Sequence, residues 1–233
     1  MLPLEPKYRH ELKYLISQAQ LSLLESRIKT MMSLDSHVGS KGLYTIRSLY
    51  FDDYNNHCYF DNLNGTSPRE KFRIRIYNGS SDRISLECKR KEAGKTLKSS
   101  SVLSLEQAQL IIAGNALDFQ DALTSLQRKL CLQMHSCMLR PVVIVEYDRV
   151  PYIYKNGNVR VTFDTNISAS VQTKDFLSEK IAKRPIMPPG QHLMEVKFDE
   201  YLPDFIYRSL NLGQLQQTSF SKYGLCRKYT MIR

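Results

Sequence analysis

The chain has 233 residues, with 33 lysines and arginines against 23 aspartates and glutamates, which gives a formal net charge of +10. Its 42% apolar and 24% charged content is ordinary for a folded protein and excludes global disorder. No stretch reaches the roughly eighteen uncharged apolar residues of a membrane span, and residues 1–6 lack the pattern of a signal peptide. We therefore expect a cytoplasmic protein whose positive charge suits a polyanionic partner.

The N-terminal segment predicts a strand followed by a helix. Residues 8–16 alternate between a mostly apolar parity and a charged parity, which is the period of a β-strand. The charged parity begins Arg9, Glu11, Lys13. Ser17 and Gln20 then have the spacing of a capping box, so a helix is expected to run to about residue 33.

The same alternation recurs along the rest of the chain. Further strands are predicted over residues 43–51, 70–77, 84–91, 142–150, 159–165 and 193–199. Helices are predicted over residues 104–113 and 121–139, and loops over residues 99–101 and 184–190. We expect one α+β domain over residues 1–233, with a helical insertion at about residues 104–139.

The charged faces of these strands have two interpretations. The simpler one is that each is the solvated side of an antiparallel sheet. However, cations two residues apart, such as Lys71, Arg73 and Arg75, point the same way and repel unless a polyanion or acidic neighbours offset them. The same faces carry isolated carboxylates that could hold a divalent metal, namely Glu11, Glu87 and Glu195. In a closed barrel these faces would line one polar interior.

Two competing motifs are rejected on the sequence. Residues 94–96 (Gly-Lys-Thr) mimic the end of a phosphate-binding loop, but Lys89 stands where that loop requires its upstream glycine. Tyr147 and Arg149 could stack on nucleobases, yet the paired aromatic residues of RNA-binding sheets are missing. We therefore expect no nucleic-acid partner.

Eight short segments, in order along the chain, resemble one known family. They are residues 11–14 (Glu-Leu-Lys-Tyr), 48–52 (Ser-Leu-Tyr-Phe-Asp), 72–75 (Phe-Arg-Ile-Arg), 86–89 (Leu-Glu-Cys-Lys), 147–149 (Tyr-Asp-Arg), 160–165 (Arg-Val-Thr-Phe-Asp-Thr), 193–197 (Leu-Met-Glu-Val-Lys) and 221–223 (Ser-Lys-Tyr). Together they are similar to the VTC domain, the polyphosphate polymerase domain of the vacuolar transporter chaperone complex and a branch of the triphosphate tunnel metalloenzymes. The resemblance implies an antiparallel eight-stranded β-tunnel, a closed barrel with a basic interior, flanked by helices.

The resemblance also implies roles for individual residues. The positions that match the family's phosphate-binding and catalytic cations are Lys13, Arg73, Arg75, Lys89, Arg149, Arg160 and Lys222. Substrate contacts are implied for Tyr147, Ser221 and Lys98, and Glu195 matches the carboxylate that helps to bind a divalent ion. The strand parity adds substrate-binding candidates at Arg9, Lys91 and Lys197, and metal candidates at Glu11 and Glu87. Ser219 departs from the family pattern, which has a lysine there.

Plain structural alternatives stay open for some of these residues. Arg73 and Arg75 could form cross-strand salt bridges with Glu87, and Glu195 could be the partner of an arginine rather than a metal ligand.

The activity implied is ATP-dependent polyphosphate synthesis, with Mn²⁺ or Mg²⁺ as cofactor and with ATP, inorganic phosphate, pyrophosphate and polyphosphate as substrates. Two rivals remain. Relatives with the same architecture hydrolyse tripolyphosphate or nucleoside triphosphates, although Arg9 replaces the first glutamate of their Glu-x-Glu-x-Lys motif. The second rival is a domain that binds polyphosphate without catalysis, and Ser219 is the feature that supports it. Because eukaryotic relatives are tethered to membranes, a separate membrane protein could be a partner.

Overall fold

A computed structural model of the protein describes residues 9–118, 120 and 124–231. The strands in that part of the chain are β1 (His10–Ser17), β2 (Ser33–Leu34), β3 (Tyr44–Asp52), β4 (Arg69–Tyr77), β5 (Ser80–Glu92), β6 (Lys95–Leu103), β7 (Arg140–Tyr154), β8 (Val159–Ser170), β9 (Arg184–Pro185) and β10 (Gln191–Phe198). The α-helices are α1 (Gln18–Ile28), α2 (His57–Asn64), α3 (Leu105–Ile112), α4 (Ser125–Ser136), α5 (Asp204–Ser209) and α6 (Lys222–Met231).

Eight of the strands form one curled antiparallel sheet. Their order is β1-β10-β8-β7-β3-β4-β5-β6, and the short strands β2 and β9 pair with β7 and β8. In the described residues, the two edge strands meet only at an isolated bridge between Arg9 and Thr96. The expected closed barrel is therefore wrong: the sheet is an open half-barrel, because β1 and β6 approach each other only where both strands begin.

Helices cover the convex face of the sheet, where the apolar parity of the strands lies. α3 and α4 pack on β4 and β5 through a cluster that includes Ile74, Leu86, Ile111 and Leu130. A second cluster joins α1 and α5 to β1, β8 and β10 and includes Ile16, Leu24, Val161, Met194 and Ile206. Each such side chain contributes about 1.5–3 kcal/mol on burial, so the apolar parity fixes which face of every strand turns inward.

The helix α6 lies instead against the concave face. Its residues Tyr223 and Cys226 are buried against Val143 and Val145 of β7, which have the same parity as Tyr147. The C-terminal segment therefore covers part of the interior of the half-barrel and brings its own charged side chains into that space.

The predicted N-terminal caps of α1 and α3 are confirmed. Ser17 and Ser104 each accept a hydrogen bond from a backbone N–H of the first helical turn, completing the two predicted capping boxes. The predicted strands and helices also form, with ends shifted by a few residues. The predicted helix over 121–139 is α4, and its first positions, 121–123, lie outside the described residues. None of the described helices is long and apolar enough to cross a membrane.

One loop prediction is wrong, and three helices were not predicted. Residues 99–101 lie within β6, which pairs with β5 after a tight turn at Ala93 and Gly94, both with positive φ. The serines suit this position because β6 is an exposed edge strand, where polar side chains face solvent. The helices α2, α5 and α6 were not predicted, and residues 184–185 of the second predicted loop form β9.

Asp52, at the end of β3, holds α2 and α6 in place. Its side chain is fully buried and accepts hydrogen bonds from the backbone N–H groups of Cys58 and Tyr59 at 2.9 and 3.2 Å, in the first turn of α2. It also accepts a hydrogen bond from the Tyr223 hydroxyl of α6. One carboxylate thus links the sheet to both helices.

We predict that Asp52→Ala lowers the free energy of unfolding far more than Tyr223→Phe does. Tyr223→Phe removes one hydrogen bond, at about 0.5–1.5 kcal/mol, whereas Asp52→Ala leaves several donors without an acceptor at about 1–3 kcal/mol each. Urea denaturation followed by circular dichroism measures both. Equal losses in the two variants would contradict the linking role of Asp52.

Candidate functional site

The concave face of the sheet encloses a central cavity in which positive charge exceeds negative charge. Lysines and arginines occupy eight lining positions and glutamates two. The cations are Lys13, Lys71, Arg73, Arg75, Lys89, Arg149, Lys197 and Lys222. The remaining lining residues are Glu11, Glu195, Tyr50, Tyr147, Ser221 and Tyr223.

The strands deliver these side chains together because alternate residues of a strand point to the same face. Arg73 and Arg75 are neighbours on that face of β4, and Lys13 of β1 lies directly opposite Glu195 of β10. Lys222 comes from the first turn of α6, on the concave side. The cavity is therefore built from distant parts of the chain that only the curled sheet brings together.

The structure has two further cavities, and we name them by their charge. The cationic mouth shares five lining residues with the central cavity and adds Arg69 and Lys91; the shared residues are Glu11, Lys13, Lys71, Lys89 and Ser221. The mixed mouth carries acids, cations and tyrosines; its lining includes Asp35, Tyr44, Tyr77, Asp82, Arg83, Glu87, Lys98 and Arg160. It shares no lining residue with the central cavity, but its Glu87 pairs with Arg73 and Arg75 of the central lining.

Glu87 anchors the first of three ion-pair networks. Its carboxylate contacts Arg73 Nη2 at 2.6 Å, Arg75 Nη1 at 3.7 Å and Lys98 Nζ at 2.5 Å. Burial by itself would raise the pKa of Glu87, but these three cations hold it well below the usual range. The alternative of cross-strand salt bridges is therefore realised for both arginines, and the carboxylate fixes them in position.

The second network joins β7, β8, β10 and α6. Asp164 accepts hydrogen bonds from Nε and Nη2 of Arg149 at 2.6 and 2.7 Å. It also forms an ion pair with Lys222 Nζ at 2.5 Å. Glu195 contacts Lys222 and Lys197 at 2.7 Å each and Arg149 at 3.5 Å. Burial opposes the charged form of Glu195, but Lys197 and Lys222 are the main cations that hold its pKa well below the usual range. Glu195 is thus an ion-pair partner in this structure.

The third network centres on Glu11 of β1. Its carboxylate contacts Lys89 at 2.6 Å, Lys13 at 3.7 Å and Lys197 at 3.8 Å. Burial lowers the pKa of Lys89 to about 8 although Glu11 favours its charged form. Lys197 contacts both Glu11 and Glu195, so its ammonium group lies between the two carboxylates that line the cavity.

Tyrosines complete the polar lining of the cavity. The Tyr147 ring lies under two cations, with Lys222 Nζ at 4.7 Å and Arg149 Cζ at 5.2 Å from its centroid. Its hydroxyl accepts a long 3.5 Å hydrogen bond from Arg75, and the Tyr50 hydroxyl accepts one from Arg73 at 2.9 Å. These contacts restrict the guanidinium groups without neutralising them.

The predicted site residues line the central cavity, the mixed mouth or the cationic mouth, with Arg9 as the exception. The central cavity gathers Lys13, Arg73, Arg75, Lys89, Tyr147, Arg149, Lys197, Ser221, Lys222, Glu11 and Glu195. Glu87, Lys98 and Arg160 line the mixed mouth, and Lys91 lines the cationic mouth. Arg9 lines none of these cavities: it contacts Asp199 at 2.9 Å and the carbonyl oxygen of Asn158 at 2.5 Å.

Several site residues were not predicted. Asp164 lies behind the cavity as the shared partner of Arg149 and Lys222, and Lys71, Tyr50 and Tyr223 belong to the lining. The alternation of β4 and β8 does place Lys71 and Asp164 on charged faces. The alternation in the sequence does not show which strands pair, and strand pairing decides which side chains come together in the cavity.

The carboxylates were tested as ligands for a divalent ion. No group of three or more histidine, cysteine, aspartate or glutamate side chains in the described residues is arranged to hold a metal. A Mg²⁺ ion bound with substrate phosphates needs only one or two protein carboxylates, and Glu11 and Glu195 share the cavity and already hold one cationic group, that of Lys197, between them. This pair fits such an ion. Glu87 fits it less well because it lines the mixed mouth and not the central cavity that Glu11 and Glu195 share.

We predict that Glu87→Gln lowers the free energy of unfolding by about 3–5 kcal/mol near neutral pH, because it leaves buried arginines without a countercharge. The pKa of Glu87 is lower in the folded protein than its ordinary value of 4.5, so its stabilisation is present above that value. As the pH falls below about 4.5, the difference between wild type and variant should shrink.

Urea denaturation at a series of pH values measures this difference. Glu92→Gln is the control, since Glu92 lies on the same strand but is 42% exposed and pairs with Arg90 at the surface. A gap between wild type and Glu87→Gln that stays constant down to low pH would contradict the ion-pair explanation.

Comparisons with known proteins agree with the fold and assign the family. The family model of the VTC domain matches residues 8–231. A structure from Hippeastrum, described as a provisional adenylyl cyclase with a dominant triphosphatase activity, aligns with a TM-score of 0.52, 12% identity and coverage of 96% of both chains. A provisional adenylate cyclase from Bacillus halodurans aligns with a TM-score of 0.49, 15% identity and coverage of 90% of this chain and 89% of its own. The search of curated proteins gave no match.

Proposed function

Because the chain belongs to the VTC-domain family, we propose that it is an ATP-dependent polyphosphate polymerase. It would transfer the γ-phosphate of ATP to inorganic phosphate, pyrophosphate or a growing polyphosphate chain. The observation that carries this proposal is the central cavity, where eight cations and two carboxylates face one space that shares five lining residues with the cationic mouth. A linear polyanion is the ligand class that such a lining would stabilise.

The arginines of the cavity would bind the phosphates of the substrate. A guanidinium group donates paired hydrogen bonds to a phosphate, and Arg73, Arg75 and Arg149 are each held by a buried carboxylate. Their positions are therefore set before the substrate arrives, which reduces the cost of ordering them on binding. The lysines, with single ammonium groups on longer stems, would follow the phosphates as point charges.

Glu195 and Glu11 would hold Mn²⁺ or Mg²⁺ together with the phosphates of the nucleotide. When bound, the ion would neutralise phosphate charge and help to orient the nucleotide phosphates. Lys197, now between the two carboxylates, would be free to move onto a phosphate oxygen.

The transfer would need positioning more than a strong base. A terminal phosphate oxygen of the acceptor attacks the γ-phosphorus in line; the bond from that phosphorus to the β–γ bridging oxygen breaks, and ADP leaves. The acceptor oxygen is already anionic near neutral pH, so no side chain has to remove a proton. Arg73, Arg75 and Lys222 would stabilise the charge on the transferred group from fixed positions in the cavity lining.

A tunnel-type hydrolase is the second candidate. The observation that favours it is the Hippeastrum relative, which is described by a dominant triphosphatase activity and shares the fold over nearly the whole chain. Against it, Arg9 replaces a metal-binding carboxylate of the hydrolase motif and pairs with Asp199 outside the cavities. A third outcome, a domain that binds polyphosphate without turnover, would fit the serine at position 219 in the cationic mouth.

We predict that purified protein with ATP and Mn²⁺ extends a pyrophosphate primer, with ADP as the second product. Polyphosphate gels and a free-phosphate assay measure this together. A ladder of chains supports the polymerase, and free phosphate without a ladder supports the hydrolase. If neither product forms but polyphosphate still binds, the non-catalytic domain is supported.

Glu195→Ala should abolish turnover but leave polyphosphate affinity unreduced, because the cations that contact Glu195 remain. Glu200→Ala, an exposed carboxylate just beyond β10, is the control.

We predict that Arg73→Ala weakens the binding of tripolyphosphate by about 1.5–3 kcal/mol, the range for hydrogen bonds to charged groups. Isothermal titration calorimetry at physiological salt measures this loss. The matched control is Arg90→Ala on β5, whose guanidinium pairs with Glu92 and Glu70 and lines none of the three cavities. An unchanged affinity in Arg73→Ala would show that the substrate does not occupy the central cavity.

A further inference from the structure

Lys71 differs from the other cations of the central cavity. Each of the other seven contacts a carboxylate, namely Glu11, Glu87, Asp164 or Glu195. In the described part of the chain, the ammonium group of Lys71 has no carboxylate partner. It donates a hydrogen bond to the neutral amide oxygen of Asn62 at 2.9 Å and lies 5.5 Å from the centroid of the Tyr223 ring.

Among the described residues, the charged groups that act most strongly on Lys71 are cations. Lys89 of β5, Lys13 of β1 and Arg69 of its own strand oppose its positive charge. On α2 the nearest titratable group is the Cys58 thiol, whose pKa is raised by burial and by Asp52, so it stays neutral. On α6 the neighbour is the Tyr223 phenol, whose pKa is also raised by burial and by Asp52. In the part of the chain that the structure describes, no carboxylate therefore pairs with the ammonium group of Lys71.

The pairing of β4 and β5 repeats this imbalance. Lys71 lies directly opposite Lys89, and Arg69 lies directly opposite Lys91, the next pair toward the end of the hairpin. Like charges opposite each other on adjacent strands are destabilising. Two such pairs in succession on the concave face, with the cationic mouth in front of them, form an arrangement that a bound anion would stabilise.

We propose that these residues form a second phosphate subsite, anchored by Lys71 and completed by Arg69 and Lys91. We call it the outer subsite; it rests on the proposed function, because it takes a phosphate group of a chain whose end occupies the central cavity. Residues two apart on a strand are separated by about 7 Å, so the Arg69–Lys91 pair extends the cationic lining by that distance beyond Lys71 and Lys89. A triphosphate in the central cavity leaves the outer pair empty, whereas a longer chain reaches it.

The outer subsite makes the affinity for long chains depend on pH. Burial, together with Lys89, Lys13 and Arg69, lowers the pKa of Lys71 to about 7. The ammonium form that attracts phosphate is therefore lost as the pH rises through neutrality in the free protein. An arginine at this position stays charged, so the Lys71→Arg variant should not show this loss.

The test compares a long-chain polyphosphate with tripolyphosphate by calorimetry, at about 0.15 M salt. Lys71→Met should weaken long-chain binding by about tenfold, and by more than it weakens tripolyphosphate binding. Lys91→Met, at the exposed member of the outer pair, should reduce the long-chain preference in the same direction even if Lys71→Met folds poorly. Lys180→Met, an exposed lysine outside all three cavities, is the charge-matched control and should change neither affinity.

Raising the pH from 6 to about 8.5 should reduce the long-chain preference of wild type more than that of Lys71→Arg, since the ligand titrates equally in both. Equal losses for the two ligands in Lys71→Met would overturn the outer subsite and place Lys71 in the central site. Unchanged long-chain affinity in both Lys71→Met and Lys91→Met would overturn it as well. If wild type binds neither ligand, the proposed function fails, and the outer subsite fails with it.

Discussion

Burying many positive charges on the concave face of one sheet is the constraint on which the rest of this structure depends. Desolvation makes each charge costly unless a carboxylate or a ligand offsets it. Four acids supply that compensation: Glu11 and Glu195 within the lining, and Glu87 and Asp164 behind it. Because there are eight cations around the central cavity, compensation is incomplete, and the lining keeps an excess of positive charge.

The distribution of the acids divides the cations into fixed and adaptable groups. The arginines that face the centre are clamped by Glu87 or Asp164 and braced by tyrosines, so they present donors in set directions. Lysines such as Lys13 and Lys197 have longer contacts or share their partners. A rigid set near the reacting phosphate and a mobile set along the chain would suit a ligand that must be held at one end and advanced at the other.

The alternating pattern predicted much of this arrangement. Strands such as β4 and β5 could be assigned residue by residue, because a wrong register would bury arginines in the convex core and expose Ile74 and Leu86. The predicted interior residues accordingly line the cavities, apart from Arg9. The position of α6 could not be predicted, because its apolar residues form no clear stripe at helical spacing. The contacts of Lys222 with Asp164 and Glu195 depend on that position, so they could not be predicted either.

The sequence by itself determined which faces of the strands are charged, because alternation and side-chain chemistry are local properties. It also determined the family, through short segments kept in order along the chain. Within the residues that the structure describes, only the tertiary structure decided which cations receive a carboxylate, that the edge strands meet at an isolated bridge, and that Lys71 has no acidic partner. Those outcomes depend on strand order and register, which bring residues distant in sequence within a few ångströms, and no local pattern encodes such distances.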